Sequence, residues 1–169
     1  MGNIRIRSYE PSDLASCRML WQKLTEHHGK IYDDPSMGVE QAGLGFDKHL
    51  ALVGADRIWV AETTEQVCGL VGLIVRDEEA EVEPVVVLPA LRGKGIGRAL
   101  LARATEEARK LGVPLLSARP VVRNEDAMSF FYSSGFTKVG HVQLFMELGE
   151  TPLATWKPGL ELFGKSFEY

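Results

Sequence analysis

The feature that most constrains the fold is an apolar strand that passes through a glycine-rich turn into a helix. The strand is the run at residues 85–88, and Gly93, Gly95 and Gly97 follow it. The helix is predicted by apolar residues at steps of three and four, namely Ile96, Leu100, Ala104, Ala108 and Leu111. Glycines let the backbone approach an anion, and the first-turn N–H groups of a helix carry partial positive charge. The sequence therefore predicts a site suited to a pyrophosphate at residues 92–98.

The elements around this turn predict a mixed fold. A strand at residues 4–7 and two helices precede a meander of strands at 58–61, 67–75 and 81–88. After the glycine-turn helix, a strand is predicted at 115–122, a short helix from Asn124 to Ser134, and two last strands at 136–142 and 144–148. The expected fold class is α/β (α+β). Its sheet is mixed, mostly antiparallel and twisted, and about four helices flank it.

Length and charge exclude several kinds of protein. The 169 residues fit one domain, predicted at residues 1–148, with a tail at 149–169. The net charge of −4 argues against nucleic acid as a partner. Cys17 and Cys68 have no metal-site spacing, so no metal is expected and both are predicted to be buried thiols. Without a long apolar run we expect no membrane contact and a cytoplasmic location.

Two segments of the chain carry recognisable motifs. The Walker and dinucleotide patterns do not fit the glycine turn, because Gly95 follows Lys94 and Leu100 stands where a third glycine is needed. What fits is the pattern Arg-x-x-Gly-x-Gly at Arg92, Gly95 and Gly97. Residues 124–136 follow the pattern Asn-x-x-Ala-x-x-Phe-Tyr-x-x-Gly-Phe, with one extra residue after Ala127. With these two segments the chain resembles the GNAT superfamily of acyl-CoA-dependent N-acetyltransferases, and the resemblance covers residues 4–148.

The resemblance implies a sheet with a splayed central strand pair, acetyl-CoA as co-substrate and an amine as acceptor, either a small molecule or a protein amine. It assigns the coenzyme to Val85, Val86, Val87, Arg92, Gly93, Lys94, Gly95, Ile96, Gly97, Arg98 and Asn124. Tyr132 is implied to lie beside the coenzyme sulfur. Tyr32, Asp33 and Asp34 fall in the loop that borders the acceptor pocket, where acidic residues suit an ammonium group.

Acyl transfer to an amine sets three chemical tasks. The ammonium must lose a proton, the oxyanion must be stabilised, and the leaving thiolate must be stabilised or protonated. Pro84 lacks an N–H and predicts a bulge that aims neighbouring N–H groups at the ligand. Tyr132 is the candidate acid. Glu83 is the first candidate base and Glu81 the second, while a water chain with no fixed base stays open.

The sequence leaves two functions and two placements of the tail open. The first function is N-acetyl transfer by direct attack in a ternary complex, and the alternative is an inactive acyl-CoA-binding sensor or regulatory module. The tail carries apolar residues that predict packing on its own domain or on a second subunit, in which case the protein is a homodimer. Trp156 and Phe163 are predicted to be buried there.

Overall fold

The computed structural model describes residues 4–34, 42–149 and 156–169. A five-stranded sheet has the order β1-β2-β3-β4-β5, in which the first three pairings are antiparallel and the last is parallel. The strands are β1 (Arg5–Ser8), β2 (Ile58–Glu62), β3 (Val67–Val75), β4 (Glu79–Val87) and β5 (Leu115–Ser117). The expected mixed, mostly antiparallel sheet is confirmed.

In the described ranges, four α-helices cover the two faces of this sheet. They are α1 (Leu14–Tyr32), α2 (Ala42–Val53), α3 (Ile96–Lys110) and α4 (Glu125–Ser133). We call the cluster beneath α3 the α3-side core; its buried members are Trp59, Ala61, Cys68, Val71, Leu73, Ala80, Val82, Ile96, Leu100, Leu101, Ala104 and Ala108. The α1-side core, beneath α1 and α2, buries Tyr9, Cys17, Leu20, Phe46, Val53, Ile58, Val60, Val67, Leu70 and Val86. Both cysteines are buried free thiols, as predicted.

A β-bulge interrupts β4 at the predicted position. Gly72 of β3 stands opposite two residues of β4, Glu83 and Pro84, because the ladder between the strands shifts there. Pro84 has no N–H to give to the ladder, so a bulge accommodates it where a regular position would not. The bulge predicted from Pro84 is confirmed.

The bulge also exchanges the two faces of β4. Before it, Ala80 and Val82 point into the α3-side core; after it, Val86 points into the α1-side core. One extra residue moves every following side chain to the opposite face of the sheet. By alternation, Glu81 lies on the face covered by α1 and α2, opposite Ala80 and Val82.

The last part of the predicted sheet is wrong. The strand expected at 115–122 is confined to Leu115–Ser117, and residues 136–142 and 144–148 form no strand. Side chains from 137 to 149 are exposed, among them Val139, Leu144, Met146 and Leu148. A β-pattern needs a partner strand, and β5 offers only a three-residue edge. In the described residues the β4 and β5 pair therefore lies at the edge of the sheet.

The tail forms a hairpin of β6 (Pro158–Leu162) and β7 (Lys165–Glu168). It contacts its own domain: the Arg123 Nε donates to the Tyr169 carbonyl at 2.7 Å, and Lys157 Nζ lies 3.0 Å from Asp33 Oδ2. The prediction that Phe163 is buried is wrong, since it is 97% exposed at the hairpin turn, while Trp156 is half-buried. Phe163 has a φ of 52°, so the turn between β6 and β7 directs its side chain outward.

Gly72 gives a prediction about stability. A Cβ built there would stand 2.5 Å from the Glu83 carbonyl oxygen and 2.5 Å from His49 Nε2. We expect Gly72→Ala to lower the free energy of unfolding by about 2 kcal/mol or more, because the backbone of the bulge must move. Gly140→Ala is the matched control, since nothing lies within 4 Å of its Cβ. Equal urea midpoints for both variants would contradict the close packing at Gly72.

Candidate active site

The glycine turn presents an uncapped helix N-terminus. Gly95 is the N-cap of α3 with φ 81°, and Gly93 has φ 74°, conformations that glycine adopts without steric cost. Among the residues that the structure describes, none lies within 4 Å of a Cβ at either position, and none caps the first turn of α3 with its side chain. The backbone here is open on its outer side, as an anion site requires.

Three basic side chains surround this turn. Arg92, Lys94 and Arg98 are all exposed, and Arg92 Nε donates to the Val87 carbonyl at 3.2 Å. That bond ties the turn to the end of β4. Gly97 has a different role from Gly93 and Gly95, because its Cβ position is 3.4 Å from the Phe130 ring on α4. The small residue lets α4 pack against the start of α3.

The end of β4 has one free edge. Val85, Val86 and Val87 pair with β3, but the parallel ladder with β5 stops at Glu81 and Ser117. Within the described ranges, no strand pairs with this side of β4 beyond Glu81. Backbone polar groups along such an edge are available to a ligand. The edge runs directly toward the turn at residues 92–98.

Glu81 is paired with two arginines. Its side chain is 2% exposed; Oε2 is 2.7 Å from Arg76 Nη1, and Oε1 is 3.2 Å from Arg119 Nε. Arg119 follows β5 in the chain, so the carboxylate joins β4 to the segment beyond β5. Both oxygens of Glu81 are therefore engaged in ion pairs.

Glu83 has the environment that a base needs. Its side chain reaches solvent beside the bulge, and it has no ion pair among the residues that the structure describes. The surrounding protein partly desolvates the carboxyl and raises its pKa, with the negative charge of Glu81 adding to the rise. Arg119 and Arg76 oppose the rise. A raised pKa brings the carboxyl closer to the pH at which a general base works best.

The short helix α4 carries Tyr132 outward. Asn124 caps it, since its side-chain oxygen accepts from the Ala127 N–H at 3.0 Å. Phe130 and Phe131 pack against the α3-side core, whereas Tyr132 is 69% exposed. Asn124 thus performs the capping role that its type favours. Tyr132 is left accessible on the helix that contacts Gly97 of α3.

The proposed acceptor residues lie at the C-terminal end of α1. Tyr32 ends the helix, and Asp33 follows in a left-handed conformation with φ 55°. The Arg123 guanidinium stands 4.8 Å from the centroid of the Tyr32 ring, and Lys157 pairs with Asp33. Arg123 directly precedes the cap of α4, so this contact brings the end of α1 to the start of α4. Arg123 and Arg119 carry no local sequence signal, because their partners Tyr169 and Glu81 lie 46 and 38 positions away in the chain. Arg76 is five residues from Glu81, but no motif marks that pair.

The comparison with known proteins identifies the family. The model of the Acetyltransferase (GNAT) family matches residues 16–136. This chain belongs to the GNAT family. The matched segment includes the turn at 92–98, the bulge of β4 and the whole of α4.

Curated relatives of this GNAT protein match over shorter segments. The aminoalkylphosphonate N-acetyltransferase of Salmonella typhimurium is 41% identical over 56 residues, which cover 33% of this chain and 36% of that protein. The matched segments span between 30% and 50% of the length of the four curated relatives.

Solved GNAT structures share the fold. The ribosomal-protein-alanine N-acetyltransferase from Brucella melitensis has a TM-score of 0.66 and 27% identity, covering 80% of this chain and 86% of that one. The structure of AAC(6')-Iy in complex with the bisubstrate analog CoA-S-monomethyl-acetylneamine has a TM-score of 0.63 and 17% identity, and the match covers 86% of this chain and 98% of that one. The second likeness shows the fold alone.

Within residues 4–34, 42–149 and 156–169, none of the helices combines the length and the apolar character of a membrane span. No group of three or more His, Cys, Asp or Glu side chains in the described ranges is arranged to hold a metal ion.

Proposed function

We propose that this GNAT protein transfers an acetyl group from acetyl-CoA to a primary amine by direct attack in a ternary complex. One observation carries the proposal: the free edge of β4 leads directly to the uncapped N-terminus of α3. A strand edge can bind an amide-containing chain through its backbone, and a helix N-terminus can bind a pyrophosphate. The strand edge therefore matches the amide-containing pantetheine arm of acetyl-CoA, and the helix N-terminus matches its pyrophosphate.

The residues at the turn fit the coenzyme. Gly93 and Gly95 leave open space at the backbone, and Arg92, Lys94 and Arg98 add positive charge around it. Val85, Val86 and Val87 would hold the pantetheine arm along the edge. Ile96, Gly97 and Asn124 complete the proposed binding set at the starts of α3 and α4. Acetyl-CoA supplies the activated thioester carbonyl.

The chain's own residues would fill the three chemical tasks. Glu83 takes a proton from the acceptor ammonium, which leaves the amine nitrogen with a free electron pair. A backbone N–H beyond the bulge donates to the oxyanion as it develops. Tyr132 would donate its phenolic proton to the sulfur as the amine nitrogen bonds to the carbonyl carbon and the carbon–sulfur bond breaks. Water would take the second proton from the nitrogen and return a proton to Tyr132. Glu81 is the second candidate base, and a water chain is the third route.

The acceptor is proposed to enter beside Tyr32, Asp33 and Asp34. Asp33 already binds one ammonium, that of Lys157, at 3.0 Å. Exposed ion pairs of this kind contribute only about 0–1 kcal/mol, so a substrate ammonium can replace the lysine. An amine acceptor, small molecule or protein, matches this chemistry.

The alternative function is a module that binds acyl-CoA without transfer. Such a module needs the turn at residues 92–98 but has no use for Tyr132 or Glu83. Both side chains are exposed, Glu83 at the bulge of β4 and Tyr132 on α4, which favours the enzyme. Release of free thiol from acetyl-CoA in the presence of a panel of primary amines separates the two functions, because the module alone releases none.

The coenzyme site gives a binding prediction. Gly95→Val is expected to weaken acetyl-CoA binding at least tenfold, because a branched side chain at φ 81° displaces the backbone from the anion. Calorimetric titration with acetyl-CoA measures this.

Gly112→Val is the matched control, since Gly112 has φ 74° and open space at the other end of α3. It carries the same backbone strain without touching the proposed site. Equal affinities in the two variants would place the pyrophosphate elsewhere.

A further inference from the structure

His49 is a buried histidine on α2 with a polar atom unaccounted for. It is 4% exposed, and its spacing from Phe46 and Val53 places it on the inward stripe of the helix. Its Nε2 is buried and has no hydrogen-bond partner in the part of the chain that the structure describes. A buried polar atom without a partner costs about 1–3 kcal/mol. An apolar residue would serve the core better.

The unpartnered atom faces the bulge of β4. His49 Nε2 and the Glu83 carbonyl oxygen each lie 2.5 Å from the position of a Gly72 Cβ, so they are at most about 5 Å apart. Only glycine at position 72 leaves room for this approach. On its other side the imidazole packs on Trp21, with ring centroids 5.1 Å apart. The ring is therefore held between α1 and the bulge.

The imidazole is neutral at ordinary pH. Burial lowers the pKa of His49 to about 4. A neutral imidazole carries a proton on only one ring nitrogen, and a proton on Nε2 makes that atom a donor toward a carbonyl oxygen. The nearby Glu83 carbonyl is such an acceptor.

We propose that His49 is a positioning residue that holds the bulge of β4 through the Glu83 carbonyl. This inference rests on the proposed function. Hydrogen bonds at catalytic sites are often long in the free protein and tighten when the ligand binds. In the acetyl-CoA complex, Nε2–H donates to the Glu83 carbonyl. That bond fixes the first peptide of the bulge, and with it the Glu83 side chain and the N–H groups that follow.

The test measures the thioester carbonyl of bound acetyl-CoA by isotope-edited infrared difference spectroscopy. An oriented N–H donor beyond the bulge lowers the stretching frequency of this carbonyl, and no acceptor amine is needed. In His49→Phe, we expect the band to return at least half-way to its position in free acetyl-CoA. His49→Gln, which keeps an N–H donor, is expected to restore most of the shift. His49→Leu repeats the test with a smaller side chain.

Thermal unfolding separates positioning from packing. If Nε2 makes no hydrogen bond in the free protein, each apolar substitution removes an unsatisfied polar atom from the core. The melting temperature of His49→Phe and of His49→Leu should then be no lower than that of the wild type. Turnover with a primary amine should fall about tenfold or more in both variants, with the KM for acetyl-CoA changed little.

Each other outcome overturns the inference. An unchanged carbonyl band in His49→Phe and His49→Leu shows that His49 does not position the bulge, although the proposed transfer function then stands. Failure of both variants to fold shows a packing role. A wild type that binds acetyl-CoA without any band shift shows that the bulge does not polarise the thioester. A wild type that binds no acetyl-CoA refutes the proposed function itself, and the inference with it.

Discussion

Glu83→Gln is expected to lower kcat/KM by about 10²–10⁴, the usual contribution of a general base. Glutamine keeps the size and the hydrogen-bonding reach of the side chain but takes up no proton from the acceptor ammonium. Glu83 has no ion pair among the described residues, so the thermal midpoint should change little. Steady-state kinetics against acetyl-CoA and the best amine measures the loss.

The pH profile identifies the base more closely than the rate does. A base acts in its deprotonated form, so kcat/KM of the wild type should rise with pH through the pKa of Glu83. Desolvation and the charge of Glu81 raise that pKa above the ordinary value of 4.5, so the rise should lie at higher pH than for a free carboxyl. In Glu83→Gln this rise of kcat/KM with pH, the acidic limb of the profile, should be absent.

Two matched variants keep the result interpretable. Glu78→Gln, in the exposed turn before β4, should keep the wild-type profile. Glu81→Gln should reduce stability by about 1 kcal/mol, because neutral hydrogen bonds replace the charge-assisted ones while the two arginines, 46% and 68% exposed, stay solvated; the pH limb remains. If Glu81→Gln loses the limb and Glu83→Gln keeps it, Glu81 is the base. If both keep it, the limb belongs to the amine.

Tyr132→Phe is expected to lower kcat about 10²-fold while acetyl-CoA affinity stays within a factor of about two. The change removes only the hydroxyl, which is the proposed proton donor to the leaving sulfur. Because the side chain is 69% exposed, its loss should not alter stability. Kinetics and calorimetry on one protein sample give both numbers.

Tyr9→Phe provides the control for this change. It removes the same atom from a tyrosine in the α1-side core, away from α4. We expect full kcat in that variant. Wild-type turnover in Tyr132→Phe would show that the thiolate leaves unprotonated or takes its proton from water.

The parts of the fold that local patterns specify were predictable. Gly93, Gly95 and the repeat from Ile96 predicted α3 and its open N-terminus, and Pro84 predicted the bulge. Each of these depends on one residue's backbone chemistry, which is visible in the sequence. Asn124 as a helix cap belongs to the same class.

The parts that depend on long-range contacts were not predictable. The alternating residues at 136–148 have the pattern of strands, but a strand also needs a partner edge. The burial expected for Phe163 failed because its position at a hairpin turn overrides its hydrophobicity. The ion pair between Glu81 and Arg119 joins residues 38 positions apart, so no local pattern predicts it.

His49 shows the same limit at the candidate site. Its place on the helical stripe of α2 predicts that it points inward, and nothing more. The bulge that it faces comes from β4, and the space between them comes from Gly72 on β3. Only the assembled sheet brings these three elements together.

The measurement that tests the central claim most directly is transfer of an isotope-labelled acetyl group from acetyl-CoA to a panel of primary amines, followed by mass spectrometry. The account predicts a labelled amide product, formed in step with free CoA, and intersecting initial-velocity lines because both substrates are bound together. It also predicts that Glu83→Gln and Tyr132→Phe form the product more slowly than Glu78→Gln and Tyr9→Phe. Tight binding of acetyl-CoA without labelled product from any amine would contradict the account and support a binding module.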